Sequence, residues 1–550
     1  MITVAEYISN FLSAEGVRQV FGYQGGAALK IIDAISKNPD LEYIQNFHEQ
    51  GSAFCANATG QLSHIGVAVA TSGPGATNLI TGIANAYLDS IPVLFITGQD
   101  HLRNIKNNTG YRTNGFQDLD IISIVKPITK YAKLIENPED IKYELQKACY
   151  FAKNGRKGAV LIDIPYDIQS EKIEEKILKS FIAPESESYT IADIKKFADI
   201  IKSAKKPLIL AGGGIRSANA VEEFNEFATK TNIPVITTLN GKDCTDKAYG
   251  FSGFYGNSCA NLALKNADLL IALGTRFGVQ QTGSDIKAYT EANIIRVEID
   301  NNEIGRTAIK EDLIIEADLK EFFSQINKIV FNSEYADWHT QLKNWDKKYR
   351  DNICIKSTGI DPIDFIRNLS AYYSANSVIT TDVGVNQMWV AQAYKKQDNQ
   401  RFLTSSALGS MGYSLPAAIG ASYLTDDVVV AYMGDGGLQM NLQELNLLAI
   451  KRYNIKCVVF NNSTLGLIKQ IQSYTTKNYI GTESDDFRCP DLEKLANCYN
   501  LKYVKIETVD DYLKIQKVFE SKEPYIIDVS IDNNAKALNT YNDIALKEDE

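Results

Sequence analysis

The sequence predicts an α/β protein of three doubly wound domains, each built on a parallel sheet. Two observations predict this fold class. Short apolar runs of strand length alternate with helical segments along most of the chain, which is the pattern of parallel sheets covered by helices. Polar stretches at 168–190 and 333–357 lack that pattern and are interpreted as linkers. We therefore expect domains over residues 1–168, 190–330 and 357–535.

The first block is expected to open with an amphipathic helix over 3–17. Its strand candidates are 43–47, 66–71, 92–97 and 159–164. Glu49 follows the first of these strands and opens a helix. From this fragment alone, Glu49 is either desolvated among Phe47 and Phe54 or solvated in the first helical turn, where the dipole favours it; the fragment favours the solvated state. The turn 72–78 contains glycines that permit a ligand to approach the backbone.

The second block repeats the alternation with its own glycine pattern. Its strand candidates are 207–211, 234–238, 269–273 and 294–299. Glycines follow the first of these strands at 212–214, and Gly250, Gly253 and Gly256 precede a helix. Glycine-rich strand ends are common in doubly wound domains. Nucleotide binding and a plain structural role therefore both stay open.

The third block begins with a strand at 377–381 and contains the most informative motif of the chain. A buried run from Val428 breaks into Gly434-Asp435-Gly436-Gly437, and a second run, 455–460, ends in Asn461-Asn462. The carboxyl ends of parallel strands share one edge, so Asp435 and Asn462 are expected side by side, as oxygen ligands suited to Mg²⁺ against a diphosphate. Asn441 and Glu444 have the spacing of a capping box, which predicts a helix from Asn441. The alternative is a tight turn with an unrelated asparagine pair.

Composition narrows the function classes. The formal net charge is −10 and no Lys/Arg block stands out, which argues against nucleic acid as a partner. Eight cysteines are scattered without a CxxC pair, as in proteins of a reducing compartment. The amino terminus lacks a signal-peptide pattern, and no apolar run reaches the ~20 residues that span a bilayer. We expect a cytoplasmic protein.

Several motifs occur in the order found in one enzyme family. They are Tyr23-Gln24-Gly25-Gly26, His48-Glu49-Gln50, Ser72-Gly73-Pro74-Gly75 through Asn78, Phe116-Gln117-Asp118, Asp382-Val383-Gly384, Leu408-Gly409-Ser410-Met411-Gly412 and the Gly-Asp-Gly…Asn-Asn pair. Over about residues 1–530 the chain resembles acetolactate synthases, which depend on thiamine diphosphate (ThDP) and Mg²⁺. The resemblance implies pyrimidine-binding, central and diphosphate-binding domains. It also implies a homodimer or homotetramer with active sites between subunits.

The resemblance also assigns roles to individual residues. Glu49 is expected to hydrogen-bond N1′ of the aminopyrimidine, with Gln117 and Gly25 near the substrate. Met411 would hold ThDP bent, and the Gly409 carbonyl would accept from the 4′-amino group. The metal ligands would be Asp435, Asn462 and the backbone carbonyl of Thr464. The other coenzyme-binding positions implied are Tyr23, Gly73, Pro74, Asn78, Gly384, Gln387, Gly434, Gly436, Gly437, Leu465 and Gly466.

Acetolactate synthases also hold FAD over the central domain, so the resemblance implies a structural rather than redox flavin. The positions implied are Arg156, Gly212, Gly213, Gly256, Thr275, Arg276 and Asp300.

Two departures from the family pattern concern the second substrate. Gln280 stands where the family usually has an arginine that grips a carboxylate, and Ile471 aligns with a tryptophan. With Leu467 and Ile468, these residues form the expected acceptor pocket. An amide lacks the charge-assisted fork of a guanidinium.

We therefore predict a carboligase that decarboxylates pyruvate and transfers the two-carbon unit to a carbonyl acceptor other than a simple 2-oxo acid. A keto-sugar nucleotide is one such acceptor. The alternatives are ordinary acetolactate synthesis, a FAD-dependent pyruvate oxidase and a binding protein that has kept only the fold. Simple decarboxylases of the superfamily use an active-site histidine pair, which this sequence lacks.

Overall fold

Three parallel sheets organise the chain in the computed structural model. The structure describes residues 1–105, 110–184, 191–283, 289–305, 311–331, 334–350, 359–483 and 486–538. The expected domain boundaries at 190 and 357 lie outside the described residues, and all three domain ranges stay predictions. The α/β fold class with three parallel sheets is confirmed.

The strands of the described residues follow one another along the whole chain. They are β1 Ile2–Thr3, β2 Gln19–Gly22, β3 Glu42–Gln45, β4 Gly66–Ala70, β5 Val93–Gln99, β6 Tyr131–Leu134, β7 Ala159–Pro165, β8 Lys172–Ile173, β9 Pro207–Ala211, β10 Val235–Thr237, β11 Leu269–Leu273, β12 Asn293–Glu298, β13 Leu313–Glu316, β14 Val378–Thr381, β15 Arg401–Thr404, β16 Val429–Gly434, β17 Ile455–Asn461, β18 Lys502–Ile506 and β19 Tyr525–Ser530.

The helices of the first two units cover the faces of their sheets. They are α1 Val4–Ala14, α2 Leu29–Lys37, α3 Glu49–Leu62, α4 Pro74–Asn78, α5 Ile80–Leu88, α6 Ile121–Val125, α7 Ile141–Lys153, α8 Ile191–Ser203, α9 Gly213–Ser217, α10 Val221–Thr231, α11 Ser258–Asn266, α12 Val279–Thr282 and α13 Leu319–Ile326.

A further helix precedes the third unit, and the others belong to it. They are α14 Ala336–Tyr349, α15 Pro362–Ser370, α16 Val385–Ala393, α17 Ser414–Ala421, α18 Asp435–Met440, α19 Glu444–Lys451, α20 Gly466–Tyr474, α21 Leu492–Cys498 and α22 Leu513–Glu520.

The strand order is the same kind of doubly wound arrangement in the two outer sheets. The first sheet has the order β3-β2-β4-β5-β7-β6 and the third has β15-β14-β16-β17-β19-β18, while the middle sheet has β10-β9-β11-β12-β13. The central strands are apolar and fully buried, because helices cover both of their faces. The first and third sheets therefore share one strand order.

Six strands of the three parallel sheets were absent from the sequence prediction, as were both strands of the small antiparallel pair β1 and β8. Four of them, β6, β13, β15 and β18, lie at sheet edges, where part of the strand meets solvent and the apolar pattern is weak. Of the other two, β2 has only four residues, and β19 is interrupted by Asp528, which accepts a hydrogen bond from Asn461 Nδ2 at 3.1 Å. These segments form strands because they pack against neighbouring strands, and their local sequence does not show an apolar pattern of strand type.

The linker expected at 168–190 is wrong over its first part. Strand β8 pairs antiparallel with β1, with Ile2 opposite Ile173. Ile173 and Leu178 are buried in the first unit's core. The charged residues around them hid this docking, because a two-residue strand carries almost no periodic signal.

The helix predicted from Asn441 begins later. Asn441 ends the region of α18, and α19 starts at Glu444. The Glu444 side chain does not cap its own helix, because it accepts hydrogen bonds from Asn46 and Phe47 in the first unit. A contact between units has replaced the local capping box.

The outer units pack directly on each other through α3 and α17. Cys55 donates its Sγ–H to the carbonyl oxygen of Pro416 at 3.0 Å. A Cβ at Gly420 would lie 2.4 Å from the carbonyl oxygen of Cys55. The close approach buries α3 on all sides. The helix that begins with Glu49 is thus held by both units.

The cysteines of the described residues are free thiols, and Cys354 lies outside those residues. None of the described helices combines the length and apolar character that a membrane crossing requires.

Candidate active site

The third unit's site is built where β16 and β17 end. Asp435 is the first residue of α18 and is 1% exposed. Its Oδ1 accepts from the Gly436 N–H at 2.8 Å, and its Oδ2 accepts from the Ser463 N–H at 2.7 Å. The carboxylate therefore joins the ends of two neighbouring strands. The expected glycine turn is the first turn of a helix instead.

The neighbouring oxygens form a donor set suited to a hard cation. The Asn462 side chain lies at the same edge and accepts through Oδ1 from the Thr464 N–H at 3.3 Å. Burial raises the pKa of Asp435 to about 7, although the N–H groups of Gly436 and Ser463 oppose the shift. A divalent cation would favour the ionised form. The described residues contain no group of three His, Cys, Asp or Glu side chains that could hold a metal; at this edge a single carboxylate, Asp435, lies beside amide and carbonyl oxygens.

These residues line a cleft with a glycine floor. Its lining residues are Val383, Gly384, Val385, Asn386, Trp389, Met411, Gly434, Asp435, Gly436, Gly437, Phe460, Asn462, Thr464, Leu465, Gly466, Leu467 and Ile468. A Cβ at Gly436 would lie 2.5 Å from Leu465 Cδ2 and 3.3 Å from Met411 Cε. Backbone N–H groups can therefore approach a ligand's phosphate oxygens, and the residues present fit a diphosphate held by Mg²⁺.

Asp382 is a structural anchor of this cleft that the sequence reasoning used only as part of a motif. It is 1% exposed and accepts from the N–H groups of Val383, Gly412 and Ser414 at 2.9, 2.9 and 3.1 Å. Burial raises its pKa to about 7 against those donors. It fastens the end of β14 to the loop that carries Met411. The available signal was a carboxylate directly after a buried strand.

Two further predicted positions lie beside the cleft rather than on its lining. Gly409 has a φ of +71°, which glycine adopts without strain. Gln387 is buried and donates through Nε2 to Thr404 Oγ1 and the Ser405 carbonyl. Gln387 therefore ties α16 to the chain after β15.

Glu49 is a buried carboxylate at the first position of α3. It is 6% exposed, and its Oε2 accepts from Asn78 Nδ2 at 2.9 Å. A Cβ at Gly75 would lie 3.2 Å from Glu49 Oε1, and a Cβ at Gly25 would lie 2.4 Å from Thr71 Cγ2. The expectation of a solvated carboxylate, favoured by the local fragment, is wrong. Close glycine packing around the helix start desolvates the side chain.

The other predicted residues of the first unit lie beyond the carboxyl ends of its strands, and Asn78 among them contacts Glu49. Gln117 has a φ of +58°, and a Cβ at Gly73 would lie 2.8 Å from Gln117 Cβ. Pro74 begins α4 and Asn78 ends it. Tyr23 follows β2 and is 39% exposed. These residues gather at the carboxyl edge of the first sheet.

The glycine-floored cleft and Glu49 lie in different units of the chain. Among the described residues, those that line the glycine-floored cleft all belong to the third unit. Glu49 and Asp435 therefore lie at separate sheet edges. The expected site between subunits stays a prediction.

The middle unit places Gly212, Gly213, Thr275, Arg276 and Asp300 at the ends of β9, β11 and β12, whereas Gly256 precedes α11. A Cβ at Gly212 would lie 2.1 Å from the Gly274 carbonyl oxygen, and one at Gly213 would lie 3.0 Å from Asn240 Cβ. Gly256 turns back to donate its N–H to Gly253 at 2.8 Å. Packing between strand ends therefore explains these glycines without a ligand.

Arg156 links the first and middle units. Its Nη1 donates to Asp300 at 2.9 Å and Glu303 at 2.6 Å, and its Nε donates to Ser90 Oγ at 2.9 Å. Burial alone would lower the pKa of Arg156, but the two carboxylates raise it. Thr275 and Arg276 follow β11 at the same edge, where Thr275 Oγ1 donates to Gln281. An acidic residue beyond such a strand is suited to a nucleotide ribose.

The expected acceptor residues divide between two places. Leu467 and Ile468 line the cleft, and Ile471 lies one turn further along α20. Ile468 and Ile471 are 47% and 43% exposed. Gln280 is an exposed residue of α12 in the middle unit. The structure of one chain does not bring Gln280 into the cleft lining.

Comparison with known proteins finds the same three units. Models of the thiamine pyrophosphate enzyme N-terminal TPP binding domain, central domain and C-terminal TPP binding domain match residues 2–124, 194–326 and 382–529. The acetolactate synthase large subunit of Lactococcus lactis is 35% identical over 97% of this chain and 93% of its own.

Two further relatives agree. A probable acetolactate synthase large subunit of Methanocaldococcus jannaschii is 38% identical over 96% of this chain and 92% of its own. The large subunit of acetolactate synthase isozyme 1 of Escherichia coli is 34% identical over 97% and 95%.

Proposed function

This chain belongs to the acetolactate synthase-like family of thiamine pyrophosphate-dependent enzymes, and from that premise we propose that it is a pyruvate-decarboxylating acetolactate synthase. It is a ThDP-dependent transferase. The observation that carries the proposal is the glycine-floored cleft, where Asp435 and Asn462 lie at neighbouring strand ends. The two-carbon unit of pyruvate would pass to a second 2-oxo acid.

The residues of the cleft would divide the work of holding the coenzyme. Asp435, Asn462 and the Thr464 carbonyl would hold Mg²⁺ against the diphosphate. Met411, which lines the cleft, would support the bent coenzyme. Glu49 would hold a proton at N1′ of the aminopyrimidine. The bound coenzyme supplies an electron sink for loss of CO₂. The protein's own part is orientation and exclusion of water.

The separation of Glu49 from the cleft supports a homodimer or homotetramer. A second copy would bring its Glu49 edge to the glycine-floored cleft of the first. Neither edge has both parts of the site within the described residues of one chain. Analytical ultracentrifugation of the purified protein distinguishes these assemblies from a monomer.

A structural FAD over the middle unit is supported by the shared edge of Gly212, Thr275, Arg276 and Asp300. Arg156 would orient Asp300 toward the ribose through the ion pair already described. A bound flavin would give visible absorbance in protein purified without added FAD. Colourless protein that does not take up FAD would exclude this part of the proposal.

Gln280 favours a second candidate, in which the acceptor is a keto-sugar nucleotide. A neutral amide cannot pair a carboxylate through two charge-assisted hydrogen bonds, so an acceptor without that group suits it. The names of the relatives favour the 2-oxo acid, which makes ordinary acetolactate synthesis the better supported reading.

One assay separates the candidates. Protein, ThDP, Mg²⁺ and pyruvate are mixed, and acetolactate is converted by acid to acetoin and measured by its colour. Abundant acetoin that requires ThDP supports the main proposal. Consumption of pyruvate only after a keto-sugar nucleotide is added supports the second candidate. Pyruvate-dependent reduction of a quinone at a comparable rate would instead indicate an oxidase.

A further inference from the structure

A buried carboxylate of the third unit holds the chain just before Glu49. Glu444 is fully buried. Its Oε2 accepts from Asn46 Nδ2 at 2.9 Å, and its Oε1 accepts from the Phe47 N–H at 3.1 Å. Burial raises the pKa of Glu444 to about 7, and these donors oppose the shift. One side chain thus fixes the direction in which the chain enters α3.

The helix that carries Glu49 leaves room for this carboxylate. A Cβ at Gly51 would lie 2.4 Å from Glu444 Oε1 and 2.8 Å from its Cδ. A glycine inside a helix weakens it. Gly51 is therefore best explained by the contact that it permits with Glu444.

A second bridge joins the same segment to the loop that carries Met411. Asn441, which is 1% exposed, donates through Nδ2 to Gln50 Oε1 at 3.0 Å and to the Gly412 carbonyl at 2.8 Å. Gln50 follows Glu49, and Gly412 follows Met411. The chain on both sides of Glu49 is therefore tied to the third unit.

We propose that Glu444 is a positioning residue for the reaction, because it holds Asn46 and Phe47 and thereby fixes the Glu49 carboxylate. Glu444 is not among the residues that line the glycine-floored cleft. The inference rests on the proposed function, in which Glu49 binds the aminopyrimidine. A shift of about 1 Å in such a group costs about 100-fold in rate, so a loosened segment lowers kcat rather than substrate binding.

A reciprocal exchange of polar groups tests the contact. Glu444→Gln turns one of the two acceptor oxygens into a donor, which then faces Asn46 Nδ2 while the remaining oxygen still accepts from the Phe47 N–H. Asn46→Asp sets two carboxyl groups against each other. The double variant Asn46→Asp/Glu444→Gln again places a donor opposite an acceptor. Gly51→Ala, which pushes on the Glu444 carboxylate without removing a charge, is an independent perturbation of the same contact.

Glu42→Gln is the matched control. Lys451 Nζ donates to Glu42 Oε1 at 2.6 Å, which joins β3 to α19 as Glu444 does, but this pair is exposed. Exposed ion pairs contribute little. The control therefore removes a contact between the same two elements without touching the segment before Glu49.

Deuterium exchange of the coenzyme-free protein gives a readout independent of activity. Glu444→Gln and Gly51→Ala should speed exchange in residues 46–52 by about 10-fold or more and leave the middle unit unchanged. In the loaded enzyme, kcat should fall about 10- to 100-fold with KM for pyruvate within about twofold. The double variant should recover both properties to within about threefold.

Two results would overturn the inference. One is wild-type exchange and kcat in Glu444→Gln. The other is a double variant that regains protection but keeps the low kcat of the single variants. If a single variant does not fold, the double variant and Gly51→Ala still decide the matter. Wild-type protein without carboligase activity would refute the proposed function, while the exchange experiment would still report on the contact.

Discussion

The replacement of Glu49 by glutamine tests the centre of the proposed chemistry. Glu49→Gln keeps the size of the side chain, and its amide oxygen can still accept from Asn78 Nδ2, which is 2.9 Å from Glu49 Oε2. The substitution removes only the ability to hold and release a proton at the carboxyl group. The fold of α3 should therefore survive while proton transfer is lost.

The magnitude follows from the environment of the side chain. Glu49 is 6% exposed and packed against Gly75, so water cannot replace it readily. A positioned proton-transfer group contributes about 100- to 10,000-fold, which corresponds to about 2.7 to 5.5 kcal/mol of transition-state stabilisation. We expect kcat/KM for pyruvate to be about 100- to 10,000-fold lower in Glu49→Gln than in wild type.

Acetolactate formation, measured as acetoin after acid treatment, gives the rates of both proteins. Glu42→Gln, an exposed change in the same unit, is the control and should keep wild-type activity. Thermal unfolding should give the same Tm for Glu49→Gln and wild type. If correctly folded Glu49→Gln retained more than about a tenth of wild-type kcat/KM, the assignment of Glu49 would be wrong.

Three further predictions address the metal, the cleft and the contact between units. Removal of divalent ions by EDTA should abolish activity, and added Mg²⁺ should restore it in wild type. Mg²⁺ should not restore activity in Asp435→Asn, because this variant loses the charged ligand. Activity of the EDTA-treated protein without added ion would contradict this prediction. Gly436→Ala should weaken ThDP binding at least about 10-fold, because its Cβ would lie 2.5 Å from Leu465 Cδ2; fluorescence of Trp389, which lines the cleft, measures the affinity. Asp243→Asn should lower the free energy of unfolding by about 3 to 5 kcal/mol, because Arg401 and Arg216 lose their buried partner. Urea unfolding measures this free energy, and a difference from wild type of less than about 1 kcal/mol would refute the prediction.

The same carboxylate gives the last prediction a pH dependence. Burial alone would raise the pKa of Asp243, but Arg401 and Arg216 outweigh it and hold the pKa below the usual 3.8. A lowered pKa contributes stability above the unfolded value and loses it as pH falls through the folded value. The difference between wild type and Asp243→Asn should therefore be full at neutral pH and shrink below about pH 4.

Much of the glycine-floored cleft could be predicted because its parts are local. The apolar run before Asp435 and the run before Asn462 are each continuous in the chain, and parallel pairing brings their ends to one edge. Edge strands such as β6 and β18 were not predicted, because part of each strand faces solvent and its apolar pattern is weak. The prediction that Glu49 is solvated was wrong because the glycines that bury its side chain come from other turns of the chain, which a local fragment does not contain.

The sequence by itself determined which segments alternate as strand and helix, and which carboxylates and amides follow buried strands. Periodicity and strand ends are properties of neighbouring residues. Only the tertiary structure decided that Glu444 accepts a hydrogen bond from Asn46, because the two residues are 398 positions apart. The docking of β8 onto β1 is of the same kind. Contacts of that range depend on how whole units pack, and no local pattern encodes them.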